Sequence, residues 1–70
     1  MIKWKNFDRW AKSRGYTFTM QGTGDEAIEG VNGVPITTGR HNNPDGVPDR
    51  VLREIAFRLG LTKQQLEDQI

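Results

Sequence analysis

The segment YTFTMQGTGDEAIEGVNGVPITT, Tyr16–Thr38, decides the fold. Its first residues alternate: Tyr16, Phe18 and Met20 against Thr17, Thr19 and Gln21. A period of two predicts a strand with one apolar and one hydroxyl-rich face. Gly22-Thr23-Gly24 interrupts the run, and DEAIEGV resumes it. Asn32-Gly33 then separates this second run from VPITT. An Asn-Gly pair between strand-like runs predicts a two-residue hairpin turn, since both residues tolerate positive φ. Pro35 has no N–H to give to a ladder, so the third strand is expected at an edge or with its proline on a solvent-facing side. The three runs predict an antiparallel meander.

On the N-terminal side, WKNFDRWAKSRG places Trp4, Phe7, Ala11 and Arg14 at helical spacing, with Trp10 beside them. The stripe predicts a helix whose tryptophans pack into the core, and Gly15 follows as a helix-ending glycine. On the C-terminal side, GRHNNPDG reads as a loop. VPDRVLREIAFRLG reads as a second helix, with Pro48 near its first position and Leu52, Ile55, Ala56 and Leu59 on one stripe. Thr62 and Gln65 have the spacing of a capping box for a short last helix. The expected fold is α+β: a three-stranded antiparallel sheet packed on one face by two main helices. Trp4, Phe7, Phe18, Ile36, Leu52, Ile55 and Leu59 are the expected core.

Composition narrows the function classes. The chain has 70 residues, no cysteine and one histidine, His41. A single domain, residues 1–70, is expected, and a domain of this size buries only about 60% of its unfolded surface. Disulfides, thiolate chemistry and a multi-histidine metal site are excluded by residue type. No apolar run approaches the ~20 residues that cross a bilayer, so no membrane partner is expected. MIKWKNFDRW lacks the apolar core of a signal peptide, which sets a cytoplasmic expectation. The formal net charge is +1, so any nucleic-acid binding has to come from local clusters of arginine and lysine.

The glycine turn is not a phosphate cradle. It lacks the spacing and the following helix of a P-loop, and Asp25 and Glu26 would repel an anion. A plain turn between strands is favoured. HNNPDG alternates like a calcium loop, but His41 replaces its first acid and Leu52 falls at the twelfth position, so no metal is expected. The acids Asp25, Glu26 and Glu29 build no cleft for paired-carboxylate hydrolysis. Lys3, Lys5, Arg9, Lys12 and Arg14 lie on the first helix. Arg40 and His41 lie in the loop, and Arg50, Arg53 and Arg58 on the second helix. Arg50 and Arg53, three apart beside the loop that carries Arg40, can contact phosphates. A solvated helix face with Arg50–Glu54-type pairing is the alternative.

SRGYTF, the turn and hairpin, the RHN loop and VLREIAFRLGLTKQQLED together resemble the HicA-type toxins. These are small ribonuclease toxins of toxin–antitoxin pairs, with a fold similar to the double-stranded-RNA-binding domain. The resemblance covers nearly the whole chain and is best over RHNNPDGVPDRVLREIAFRLGLT. It implies RNA as one partner, an antitoxin or other protein as another, and no cofactor. It also implies a catalytic histidine after a glycine and a small hydroxyl residue at the turn into the second strand. Gly22 and Thr23 match those two positions, but Gly24 stands where the histidine would be. Glycine has no group to accept a proton from a ribose 2′-hydroxyl. The expectation is therefore an RNA-binding domain with weak or absent endoribonuclease activity and contacts through Arg40, Arg50 and Arg53. Two alternatives stand beside it. One is an active toxin with His41 as the base, since imidazole titrates near neutrality. The other is a non-enzymatic interaction factor of phage or plasmid type.

Overall fold

The computed structural model describes residues 1–70. The elements are α1 (Trp4–Ser13), β1 (Thr17–Met20), β2 (Glu26–Glu29), β3 (Ile36–Thr37), a 3-10 turn (Arg40–Asn42), α2 (Asp49–Leu59) and α3 (Lys63–Gln69). The sheet is antiparallel in the order β1-β2-β3, and α1 and α2 pack on one of its faces, as the α+β reading expects. No helix is long and apolar enough to cross a membrane.

Helix α1 buries Trp4, Phe7, Trp10 and Ala11, spaced so that they share one face. It ends where Gly15 takes a φ of +79°, a value that strains any residue with a Cβ. Gly15 N–H then donates to Lys12 O at 3.1 Å and Tyr16 N–H to Ala11 O at 2.9 Å. These two bonds satisfy carbonyls the helix leaves open and turn the chain directly into β1.

The register aligns Phe18, Ile28 and Ile36 across the three strands. Side chains alternate along a strand, so these three face the helices. They meet Phe7, Val51, Ile55 and Leu66 in one core. Phe7 is fully buried and lies 6.1 Å from Phe18, centroid to centroid. Burying a side chain of this size stabilises the fold by roughly 1.5–3 kcal/mol. Five of the seven expected core residues are buried. Phe18, on the edge strand, and Leu59, in the last turn of α2, are half-buried and pack against the core from its rim. The opposite face carries Thr17, Thr19, Glu29 and Thr37. Thr19 Oγ1 donates to Glu29 Oε1 at 3.3 Å, so this uncovered face is polar. Met20, expected on the apolar face, is 69% exposed at the end of β1, where it pairs with Glu26.

The expected two-residue hairpin at Asn32-Gly33 does not form. Six residues, Gly30–Pro35, join β2 to β3. Asn32 and Gly33 have positive φ, +35° and +137°, but the loop they shape wraps around the side chain of Arg58. Arg58 Nη1 donates to Val31 O at 3.1 Å and to Val34 O, while Asn32 Nδ2 donates to Arg58 O at 2.9 Å. Backbone carbonyls that in a tight turn would accept from backbone N–H groups accept from a guanidinium on α2 instead. Pro48 sits one residue before α2, as its N-cap, and its carbonyl accepts from Val51 N–H and Leu52 N–H. The capping box on α3 is present as expected: Gln65 N–H donates to Thr62 Oγ1, and Thr62 N–H to Gln65 Oε1.

Candidate nucleic-acid interface

Two strand-end residues and one helix residue converge on Arg40. Glu26 and Thr38 extend from β2 and β3 on the helix-covered side, and Asp8 comes down from α1. Arg40 Nε donates to Glu26 Oε1 at 3.0 Å. Its Nη1 and Nη2 donate to Asp8 Oδ2 and Oδ1 at 3.0 and 2.7 Å, a two-pronged contact. The plane lies over two rings, 4.4 Å from the centroid of Trp4 and 5.4 Å from that of Phe18. Thr38, fully buried, donates its hydroxyl to Glu26 Oε1 at 2.8 Å. The Asp8 hydrogen bonds, helped by Glu26, hold the Arg40 pKa above its ordinary value despite partial burial. Arg40 thus seals one end of the core with a compensated charge.

The same clamp fixes the turn that follows. Asn43 Nδ2 donates to Gly39 O at 2.8 Å, and Trp4 Nε1 donates to Asn43 O at 2.7 Å. His41 is exposed on this braced turn. It shares a cleft of about 430 Å³ with Gly24, Asp25, Asn42 and Arg50. The fold therefore brings together the glycine turn and the histidine loop, 17 residues apart in sequence. At Gly24 the φ is +88° and an added Cβ would meet nothing within 4 Å. The turn is closed by Gly24 N–H donating to Gln21 O and Gln21 N–H to Asp25 O, both 2.8 Å. Thr23 Oγ1 donates to Asp25 Oδ2 at 3.0 Å. This is the plain strand-to-strand turn.

The sequence-nominated cations separate on folding. Arg50 lines the cleft and donates to Thr37 O at 3.2 Å, with no carboxylate partner. Arg53 points elsewhere and pairs with Asp49, which also takes Lys63 Nζ at 2.7 Å. Arg53 first and Lys63 second hold the Asp49 pKa below its ordinary value. The Arg50–Glu54 pairing does not occur. The helix pairs are Arg53–Asp49 and Arg58–Glu54. Arg40 is occupied by Asp8 and Glu26.

The face that sequence reasoning passed over is the outer side of α1. Lys5, Arg9 and Lys12 are exposed there and none has a carboxylate partner. The spacing of four and three residues puts them on one face. The only acid of this helix, Asp8, is neutralised by Arg40. The five cations of the segment were visible in the sequence. That their single acidic neighbour was cancelled from 32 residues away was not.

Fold and interface together define a small α+β domain with a basic helix face and a cleft between two turns. Comparison with protein-family models, with characterised proteins and with solved structures finds no significant match to this chain.

Proposed function

We propose that the chain is a HicA-like RNA-binding domain whose ribonuclease activity is weak or absent. The observation that carries this reading is the unpaired row Lys5–Arg9–Lys12 on α1. It supplies the local positive cluster that a net charge of +1 does not. Such a row holds RNA mainly through phosphates, with Arg50 adding a contact from the neighbouring cleft. The weak-nuclease half of the reading is supported at Gly24, which faces the cleft with no proton acceptor beside an acidic residue.

Salt dependence tests the binding half. Replacing Lys5 and Arg9 by glutamine lowers the slope of log K against log salt by about one to two, whereas Arg53→Gln leaves it nearly unchanged. Cleavage of RNA by the purified chain tests the other half. Robust cleavage abolished by His41→Ala would establish the rival reading, an active toxin ribonuclease with His41 as its base.

A second reading has its own observation. Phe57 is 82% exposed on α2, an aromatic surface suited to a protein partner, whether an antitoxin or another chain. Absence of RNA binding at low salt would favour this interaction-factor reading.

A further inference from the structure

A groove of about 570 Å³ lies between α1 and β1, lined by Asp8, Lys12, Tyr16, Phe18, Glu26 and Arg40. We propose that this groove holds one unpaired guanine base of a bound RNA strand. The inference rests on the RNA-binding reading and names what that surface selects.

The groove offers rings first. Tyr16 immediately precedes β1 and Phe18 lies within it; both pack against the core on the helical side, and both are half-buried. Exposed ring surface of this kind stacks planar bases. The charges come next. Asp8 and Glu26 carry two negative charges, Arg40 and Lys12 two positive ones, and the sum is zero. A free anion meets carboxylates there and a free cation meets Arg40, so the fitting occupant is a neutral planar group.

Hydrogen bonding then selects among the bases. Glu26 Oε1 is filled by Thr38 and Arg40, but Glu26 Oε2 has no partner in the protein. The Asp8 oxygens each accept one bond from Arg40 and keep acceptor capacity. The edge of the groove is thus rich in acceptors. Guanine presents two adjacent N–H donors, N1 and N2, on its pairing edge. Uracil presents one donor between two carbonyls, and adenine and cytosine set an acceptor beside their donors. Base pairing occupies that edge, so only an unpaired guanine can enter. Lys12 belongs both to the groove and to the row Lys5–Arg9–Lys12, so phosphates flanking the seated base run onto α1.

The test uses the full chain and two labelled single-stranded hexamers, UUUGUU and UUUUUU, in an anisotropy titration at low salt. Wild type binds the guanine-containing strand roughly tenfold more tightly. Glu26→Gln keeps an oxygen for Thr38 and Arg40 but turns the free acceptor into an N–H donor, and it brings the ratio close to one. Should that variant not fold, the ring protons of Tyr16 decide. They shift upfield when guanosine monophosphate is added to wild type and stay in place with uridine monophosphate. Equal binding of the two hexamers without a Tyr16 shift overturns the guanine groove and leaves the RNA-binding reading standing. Failure to bind either hexamer overturns both.

Discussion

The guanidinium of Arg40 lies over the indole of Trp4, 4.4 Å from the ring centroid, while gripping Asp8 with both terminal nitrogens. Trp4 in turn donates its indole N–H to Asn43 O on the far side of the same turn. One side chain from the loop therefore ties α1, β2 and the His41 turn together. Its cost and its benefit are both moderate, because the side chains of Arg40, Asp8 and Glu26 are 31%, 43% and 27% exposed.

Arg40→Ala lowers the unfolding free energy by about 2 kcal/mol in a denaturant titration, the scale of lost hydrogen bonds to charged groups. Partial exposure keeps the loss below the roughly 3–5 kcal/mol of a fully buried broken pair. Arg40→Lys recovers little of it, since a point charge cannot grip Asp8 in two places and lie flat on Trp4. A loss under about 0.5 kcal/mol in Arg40→Ala, the scale of a surface substitution, would falsify the clamp.

Arg58→Met acts on the β2–β3 loop. The Arg58 side chain is only 16% exposed and serves the carbonyls of Val31 and Val34. Methionine keeps the apolar stem and removes the donors, at a cost of about 1–2 kcal/mol. Hydrogen exchange speeds up across residues 30–35 while the α1 amides stay protected. Uniform loss of protection would show that the loop is not a local unit.

Asp49 predicts an acid-sensitive tie between α2 and α3. Its pKa lies below the ordinary 3.8, so its contribution is complete above that value and fades as pH falls through the lower folded value. Lys63 has its pKa raised, chiefly by the hydrogen bond to Asp49, so its contribution is complete below 10.5 and fades as pH rises through the higher folded value. Asp49→Asn removes the acid limb and the main cause of the alkaline one, leaving Lys63 only its weaker pair with Glu67. Amide protection in α3, followed by NMR from pH 2 to 5, reads the acid limb. Identical profiles for wild type and variant would dissociate α3 from this pair.

Gly24→His separates backbone strain from chemistry. The side chain has open space, but a φ of +88° penalises any Cβ, so Gly24→Ala and Gly24→His each lose about 1 kcal/mol. The alanine variant cleaves RNA no faster than wild type. The histidine variant cleaves measurably faster, because it adds a proton acceptor to the cleft that already holds His41 and Arg50. Equal rates in all three proteins would mean that the cleft does not position a scissile phosphate.

Periodicity made most of the fold legible. The apolar positions of α1, β1 and α2 recur at periods of 3.6 and 2, and these patterns depend only on the geometry of a single element. The capping box at Thr62 and the glycine exit after α1 were readable for the same reason, since a cap involves residues three or four apart. The β2–β3 turn was not readable from Asn32-Gly33, because its shape is set by Arg58, 25 residues further on.

The chain's local chemistry, by itself, determined the order of elements, the antiparallel sheet, the apolar face of each helix and the glycine at position 24. Tertiary structure alone decided which charges remain available. Arg40, Arg53 and Lys12 are equivalent in a sequence, each a cation among mixed charges. Folding carries Asp8 and Glu26 to Arg40 and leaves Lys12 on a free face, and it brings Lys63 of α3 to Asp49, which already holds Arg53 four residues on in α2. An ion pair forms when two side chains come within a few ångströms in space, and for residues 14 or 32 positions apart only the packed core sets that distance.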